Sequence, residues 1–197
     1  MSGNGGRRAK VERRTFEVSI IGELNIDGSG RAKVSTGVPF FDHMLATLAK
    51  HALFDLELVA KGDLEHHLIE EVGIALGSAL DAALGDRRGI RRFGSALIPM
   101  DESLASAAVD LSGRGSAHLN LGLRCDAIES LKAEHLEHFL RSLAAASRAT
   151  IHVNLIYGMD EHHKAESSIK ALARALREAV SRDPRAPDEV PSVKGGL

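Results

Sequence analysis

"DHMLATLAKHALFDLELVAKGDLEHHLIEE", residues 42–71, lies over "EHFLRSLAAASRATIHVNLIYGMDEHHKAES", residues 137–167, and this self-similarity decides the fold. His43 matches His138 and Leu48 matches Leu143 at a separation of 95 residues. Past the central strand the separation becomes 96: Gly62 falls on Gly158, His66 on His162, His67 on His163 and Glu70 on Glu166. One residue has therefore entered the second copy near its strand end. A lone HHxxE is too short to be specific. Two of them, in register inside a duplicated unit, are far less expected by chance.

Each copy reads as helix, strand, turn, helix. Over 40–53, Phe41, Met44, Leu45, Leu48 and Ala52 recur at helical spacing and leave Asp42, His43 and Thr47 on another side. "FDLELVA" (54–60) and "TIHVNLI" (150–156) alternate apolar with polar residues, as half-buried strands do. Gly62-Asp63 and Gly158-Met159-Asp160 break them. In the closing helices Val72, Leu76, Ala79 and Leu80 face inward, as do Ile169, Leu172, Leu176 and Val180 in the second copy.

Further strands precede each unit: 15–26 and 30–36 in the first half, 103–111 and 116–123 in the second. Two pseudo-equivalent halves, about 10–92 and 93–182, follow from this, meeting near "GDRRGIRRFGSALIPMDES" (85–103). Neither half has the apolar surface to stand alone, so their helices are expected to share a core. The tail 183–197, with its prolines and two glycines, is expected to be extended.

Bulk properties narrow the function classes. Hydrophobic residues make up 44% of the 197, but aromatics only 4% with no Trp, so the core relies on aliphatics and close helix packing. A net charge of −2 gives no electrostatic footprint for nucleic acid. Cys125 is the only cysteine and no signal-like apolar run opens the chain, which points to a reducing cytosol. No stretch approaches membrane-spanning length.

The ten histidines matter by position. On a helix, His66 and His67 stand four and three residues before Glu70, so one turn can aim them at a common region. Neighbouring side chains differ by about 100° in direction, so adjacent histidines tend to serve different ions. Imidazole with carboxylate suits Mn, Fe, Co, Ni or Zn, and with no cysteine at the site a structural thiolate zinc centre is excluded. With His43 and His138, the two copies offer six histidines and two carboxylates, enough for two six-coordinate ions with places left over. His118 and His152 on strands, and His51 and His135 near helix ends, read as ordinary histidines.

With "TGVPFFDHML", "HHLIEE", "GIRRFG", "PMDES", "VDLSGRG", "EHFLRSLA", "HHKAESSIKALARAL" and "PSVKGG" assembled, the chain closely resembles the imidazoleglycerol-phosphate dehydratase family of histidine biosynthesis over nearly its whole length. The resemblance implies an α+β fold of one domain, 1–197, built of duplicated halves similar to the second domain of ribosomal protein S5. Each half would be a four-stranded sheet with two helices, the helices packed between the sheets. It implies two Mn2+ ions per active site, other divalent transition metals being possible, and a homo-oligomer of 24 chains with sites shared between subunits.

By motif the metal ligands carry over to His43, His66, His67, Glu70, His138, His162, His163 and Glu166, the eight groups the repeat singles out. The substrate phosphate falls to Arg92, Arg114, Lys170, Ser192 and Lys194, and arginine forks suit a phosphate dianion. Glu17 in "RRTFE" stands where the family has its catalytic base; Asp101 and Glu102 would support the site. Thr47 occupies the place of a usual phosphate-contacting glutamine, and the loop before His66 is short.

The implied reaction takes D-erythro-imidazole glycerol phosphate to imidazole acetol phosphate and water. No carbonyl acidifies the hydrogen that must leave, so the imidazole ring, held as an imidazolate between two manganese ions, has to supply and absorb the electrons. A dinuclear hydrolase and a silent metal-dependent assembly protein could use the same ligands, but neither needs Glu17 or the dispersed phosphate set.

Overall fold

The computed structural model describes residues 6–196; Met1–Gly5 of the polar, glycine-rich start and Leu197 at the end of the tail lie outside the described residues. The first sheet comprises β1 (Arg8–Arg14), β2 (Val18–Asn25), β3 (Ala32–Ser35) and β4 (Asp55–Gly62), in the order β1-β2-β4-β3. Helix α1 (Pro39–Ala52) makes the crossover between the parallel β3 and β4, and α2 (Glu65–Leu84) follows. The second half repeats this with β5 (Phe93–Met100), β6 (Ser103–Asp110), β7 (Ser116–Asn120), β10 (Thr150–Tyr157), α3 (Ala133–Ala146) and α4 (Glu161–Val180), in the sheet order β5-β6-β10-β7. A small hairpin, β8 (Ala127–Ile128) and β9 (Leu131–Lys132), is added before α3.

The layers run sheet, helices, helices, sheet. α1 and α2 cover the first sheet, α3 and α4 the second, and the layers meet as α1 on α4 and α2 on α3. Every helix position read as inward is buried, from Val72 and Leu76 to Leu172 and Val180. Thr47, read onto the polar side of α1, is buried as well, because α4 covers the side the first sheet leaves open. Phe41 of α1 and Phe139 of α3 meet edge to face at 5.1 Å, a contact between the halves of about 0.5–1.5 kcal/mol beyond its area.

Close helix packing has a specific cause in α2. A Cβ on Gly73 would stand 2.8 Å from the Phe139 carbonyl oxygen, and one on Gly77 would stand 2.7 Å from that of Leu143. Two glycines one turn apart thus let α3 lie against the α2 backbone.

Besides the short β8–β9 hairpin, two strands of the main sheets escaped the sequence reading, β1 and β5, and they are equivalent edge strands. In β1 only Val11 is buried among basic and acidic neighbours, so alternation is faint. In β5 Gly94 and Pro99 read as loop, yet an edge strand tolerates a proline. A third correction concerns Glu17, expected inside a strand. β2 starts at Val18, and Thr15–Glu17 form the β1–β2 turn, where Thr15 Oγ1 accepts the N–H groups of Glu17 and Val18 at 3.1 Å. The extra residue in the second copy is visible as a register shift in β10 between Leu155 and Tyr157, where the strand bulges.

The tail is not free-standing. Ile90 bridges Arg182, Gly89 N–H donates to Glu189 O at 2.8 Å, and Arg88 Nη1 reaches Asp188 O at 2.5 Å. No helix among the described residues is long and apolar enough to cross a membrane.

Candidate active site

The α1–α4 contact brings His43 to His162 and Glu166. Their ligand atoms lie within 4.8 Å of one another, and Nε2 of each histidine is 3.1 Å from Glu166 Oε2. The trio is made of both halves: α1 carries one histidine, and one turn of α4 carries the other two groups. Burial works against the Glu166 charge. Lys170 Nζ at 2.6 Å from Oε1, with His43 and His162 on Oε2, outweighs it and holds the carboxyl at about 2. Two imidazoles and an ionised carboxylate converging on one point, with no thiolate, fit a divalent ion of the Mn, Fe or Zn kind.

The α2–α3 contact builds the counterpart. His66 of α2 and His138 of α3 stand with ring centroids 4.8 Å apart, and His66 Nε2 is 3.6 Å from Glu70 Oε2. His135 is a satisfied buried histidine beside them, its Nδ1 bonded to Glu65 Oε1 at 2.8 Å. His118 and His152 stack at 4.4 Å on neighbouring strands of the second sheet, away from both groups.

The second histidine of each pair looks elsewhere. His67 Nδ1 is 3.0 Å from Asp63 Oδ1 and 3.7 Å from Glu17 Oε2. His163 Nδ1 is 2.7 Å from Glu102 Oε2, with Asp101 Oδ2 3.6 Å from Nε2. Asp63 and Glu102 raise the pKa of His67 and His163 respectively. The start of α4 is fixed by Asp160, whose side chain accepts the His163 N–H at 3.0 Å, an N-cap satisfying one of the first-turn donors.

The proposed phosphate groups gather at the other end of the second half. Arg92, Arg114, Ser192 and Lys194 line one cleft of about 530 Å3, roofed by the tail. Arg92 has positive φ, 70°, and three of its N–H groups are engaged: Nε and Nη2 on the Asp110 carboxylate at 2.7 and 3.2 Å, Nη1 on Pro191 O at 2.7 Å. It therefore anchors the tail that brings Ser192 and Lys194 into the cleft. Lys170 does not line this cleft; it belongs to Glu166.

Several groups were not foreseen from sequence. Asp63 could have been, since it stands one helical turn before His67. Asp110 and the Pro191 carbonyl could not, since only the fold brings them to Arg92.

Known proteins share this sequence and fold. The family model for imidazoleglycerol-phosphate dehydratase matches residues 36–176. The imidazoleglycerol-phosphate dehydratase of Dehalococcoides mccartyi (strain CBDB1) is 48% identical over 191 residues, 97% of each chain. That of Cereibacter sphaeroides (strain KD131 / KCTC 12085) is 49% identical over 194 residues, covering 97% of this chain and all of its own. Among solved structures, the Pyrococcus furiosus enzyme in complex with (S)-C348 superposes with a TM-score of 0.81 at 36% identity, over 94% of this chain and 99% of its own. The Staphylococcus aureus enzyme gives 0.80 at 32%, over 89% and 99%. From sequence and fold alike, the chain belongs to the imidazoleglycerol-phosphate dehydratase family.

Proposed function

We propose that the chain dehydrates D-erythro-imidazole glycerol phosphate to imidazole acetol phosphate with two divalent ions per active site, Mn2+ by donor type, each site completed by a neighbouring chain. The observation that carries this reading is the convergence of His43, His162 and Glu166, echoed by His66, His138 and Glu70. His67 and His163 face away from these groups, towards the hairpins. That outward direction is what ligands to adjoining subunits' sites would need, and it supports the reading of a shared-site homo-oligomer, by resemblance a 24-mer. The single-domain division at about 92/93, with 183–196 as a strap, follows the repeat of the two sheets.

The ions, when bound, supply Lewis acidity at the ring nitrogens in place of a proton. The remaining work falls to side chains. Arg114, Ser192 and Lys194 hold the phosphate in the cleft that Arg92 shapes. Lys170 keeps Glu166 ionised and aimed at the histidines. Glu17, half exposed on its hairpin beside His67, is the base that takes the proton from the carbon neighbouring the departing hydroxyl. The resulting enol becomes the ketone.

Glu17→Gln tests the assignment. Turnover should fall by about 100-fold or more, the lower range for a positioned base, while metal content and particle size stay intact. Near-normal turnover in that variant would remove Glu17 from the mechanism.

A further inference from the structure

We infer that Glu102 is a positioning residue that orients His163 as a metal ligand, and that it is the specialised counterpart of Glu17 in the duplicated fold. The inference rests on the metal reading above.

The equivalence is geometric. Glu17 immediately precedes Val18, the first residue of β2, which pairs with Gly62. Glu102 immediately precedes Ser103, the first residue of β6, whose successor Leu104 pairs with Tyr157. Gly62 and Gly158 are matched residues of the repeat, and they repeat the same contact: a Cβ on Gly62 would meet Val18 at 3.1 Å, one on Gly158 would meet Ser103 Oγ at 2.3 Å. Both glutamates therefore sit at the same hairpin position. Both face Nδ1 of the second histidine in HHxxE, at 3.7 Å for Glu17 and 2.7 Å for Glu102.

Their surroundings divide them. Glu102 Oε1 accepts the backbone N–H groups of Met159 and Asp160 at 3.1 and 2.9 Å and the Ser103 hydroxyl at 3.0 Å, which leaves Oε2 for His163. The Glu17 carboxylate has no hydrogen bond among the described residues, and its side chain is 51% exposed against 29% for Glu102. In the first half Asp63 takes the orienting role by bonding His67. The residue matching Asp63 in the second half is Met159, which cannot accept the bond, so the hairpin glutamate does. Duplication has thus left one hairpin glutamate free to move a proton and committed the other. A carboxylate on Nδ1–H places the proton there, keeps the Nε2 lone pair for a cation and makes the ring a better donor.

Glu102→Gln separates orientation from mere support. Its one amide oxygen is claimed by the Met159 and Asp160 N–H groups, so the amide NH2 faces Nδ1 and drives the ring proton onto Nε2. In Mn2+ titrations of the purified full chain, one of two sites should weaken by about 10–100-fold, the range for orienting carboxylates, with the other unchanged. The thermal midpoint of the metal-free chain should stay near wild type, whereas Glu102→Ala lowers it. Glu17→Gln should keep both affinities. Two wild-type affinities in Glu102→Gln would overturn the inference. A wild-type chain that binds no Mn2+ would overturn the metal reading instead. Should Glu102→Gln destabilise the metal-free chain as much as Glu102→Ala, the 15N shifts of His163 in the metal-free wild type decide: protonation at Nδ1 supports the inference, protonation at Nε2 overturns it.

Discussion

Glu166 answers to three partners, His43 and His162 on one oxygen and Lys170 on the other, and its carboxyl is held at about 2. It keeps its charge throughout the working pH range. Metal ligands must be unprotonated, so affinity falls with pH. His67 and His163 have raised pKa values, from Asp63 and Glu102 respectively, and remain protonated to higher pH than a free histidine near 6.5. Proton competition at these two residues should therefore set in at higher pH than it would for a free histidine. Mn2+ titrations at about pH 8 and pH 6 should show clearly weaker binding at the lower value; equal affinities would contradict the ligand set. At this scale the candidate ligands stood out because the repeat presents them twice in register. Their orienting partners were less so: the motif marks Glu102 as support for the site, but only the fold shows that it meets His163.

Among the elements, the legible ones had either a strong helical stripe or clean alternation. β1 and β5 had neither: an edge strand needs only one buried side chain here and there, and charge or proline costs it little. The bulge in β10 was legible as the change of offset from 95 to 96, although its geometry was not. The contact of α2 with α3 makes a sharper prediction. Gly77→Ala puts a methyl 2.7 Å from the Leu143 carbonyl oxygen. Overpacking should cost about 1–3 kcal/mol, more than the gain of about 1 kcal/mol in helix propensity. Denaturant unfolding of the metal-free variant reads the difference, and undiminished stability would mean that the helices part easily. The strap carries another. Deleting the chain from Pro191 onward removes Ser192 and Lys194 from the cleft, and each lost charge-assisted bond is worth about 1.5–3 kcal/mol. KM should rise at least about tenfold with metal content unchanged; an unchanged KM would place the phosphate elsewhere.

At the scale of the molecule, sheet, helices, helices, sheet is the outcome of a duplicated unit burying two helix layers against each other. The repeat foretold two halves and a common core. It could not say that α1 meets α4 and α2 meets α3, because a repeat treats both halves alike. That crossing unites His43 with His162 and Glu166, and it leaves His67 and His163 directed outward. If the ligands are shared across subunits as proposed, chelation should reach beyond catalysis: EDTA is expected to shrink the particle in light scattering, and Mn2+ to restore it. The most direct test of the whole account joins metal to chemistry on one preparation, by measuring bound Mn2+ per chain alongside dehydration of imidazole glycerol phosphate. The account predicts turnover that is lost on chelation and returns as two Mn2+ per chain are added back. Tight Mn2+ binding without dehydration, under conditions in which a homologue turns over, would contradict it.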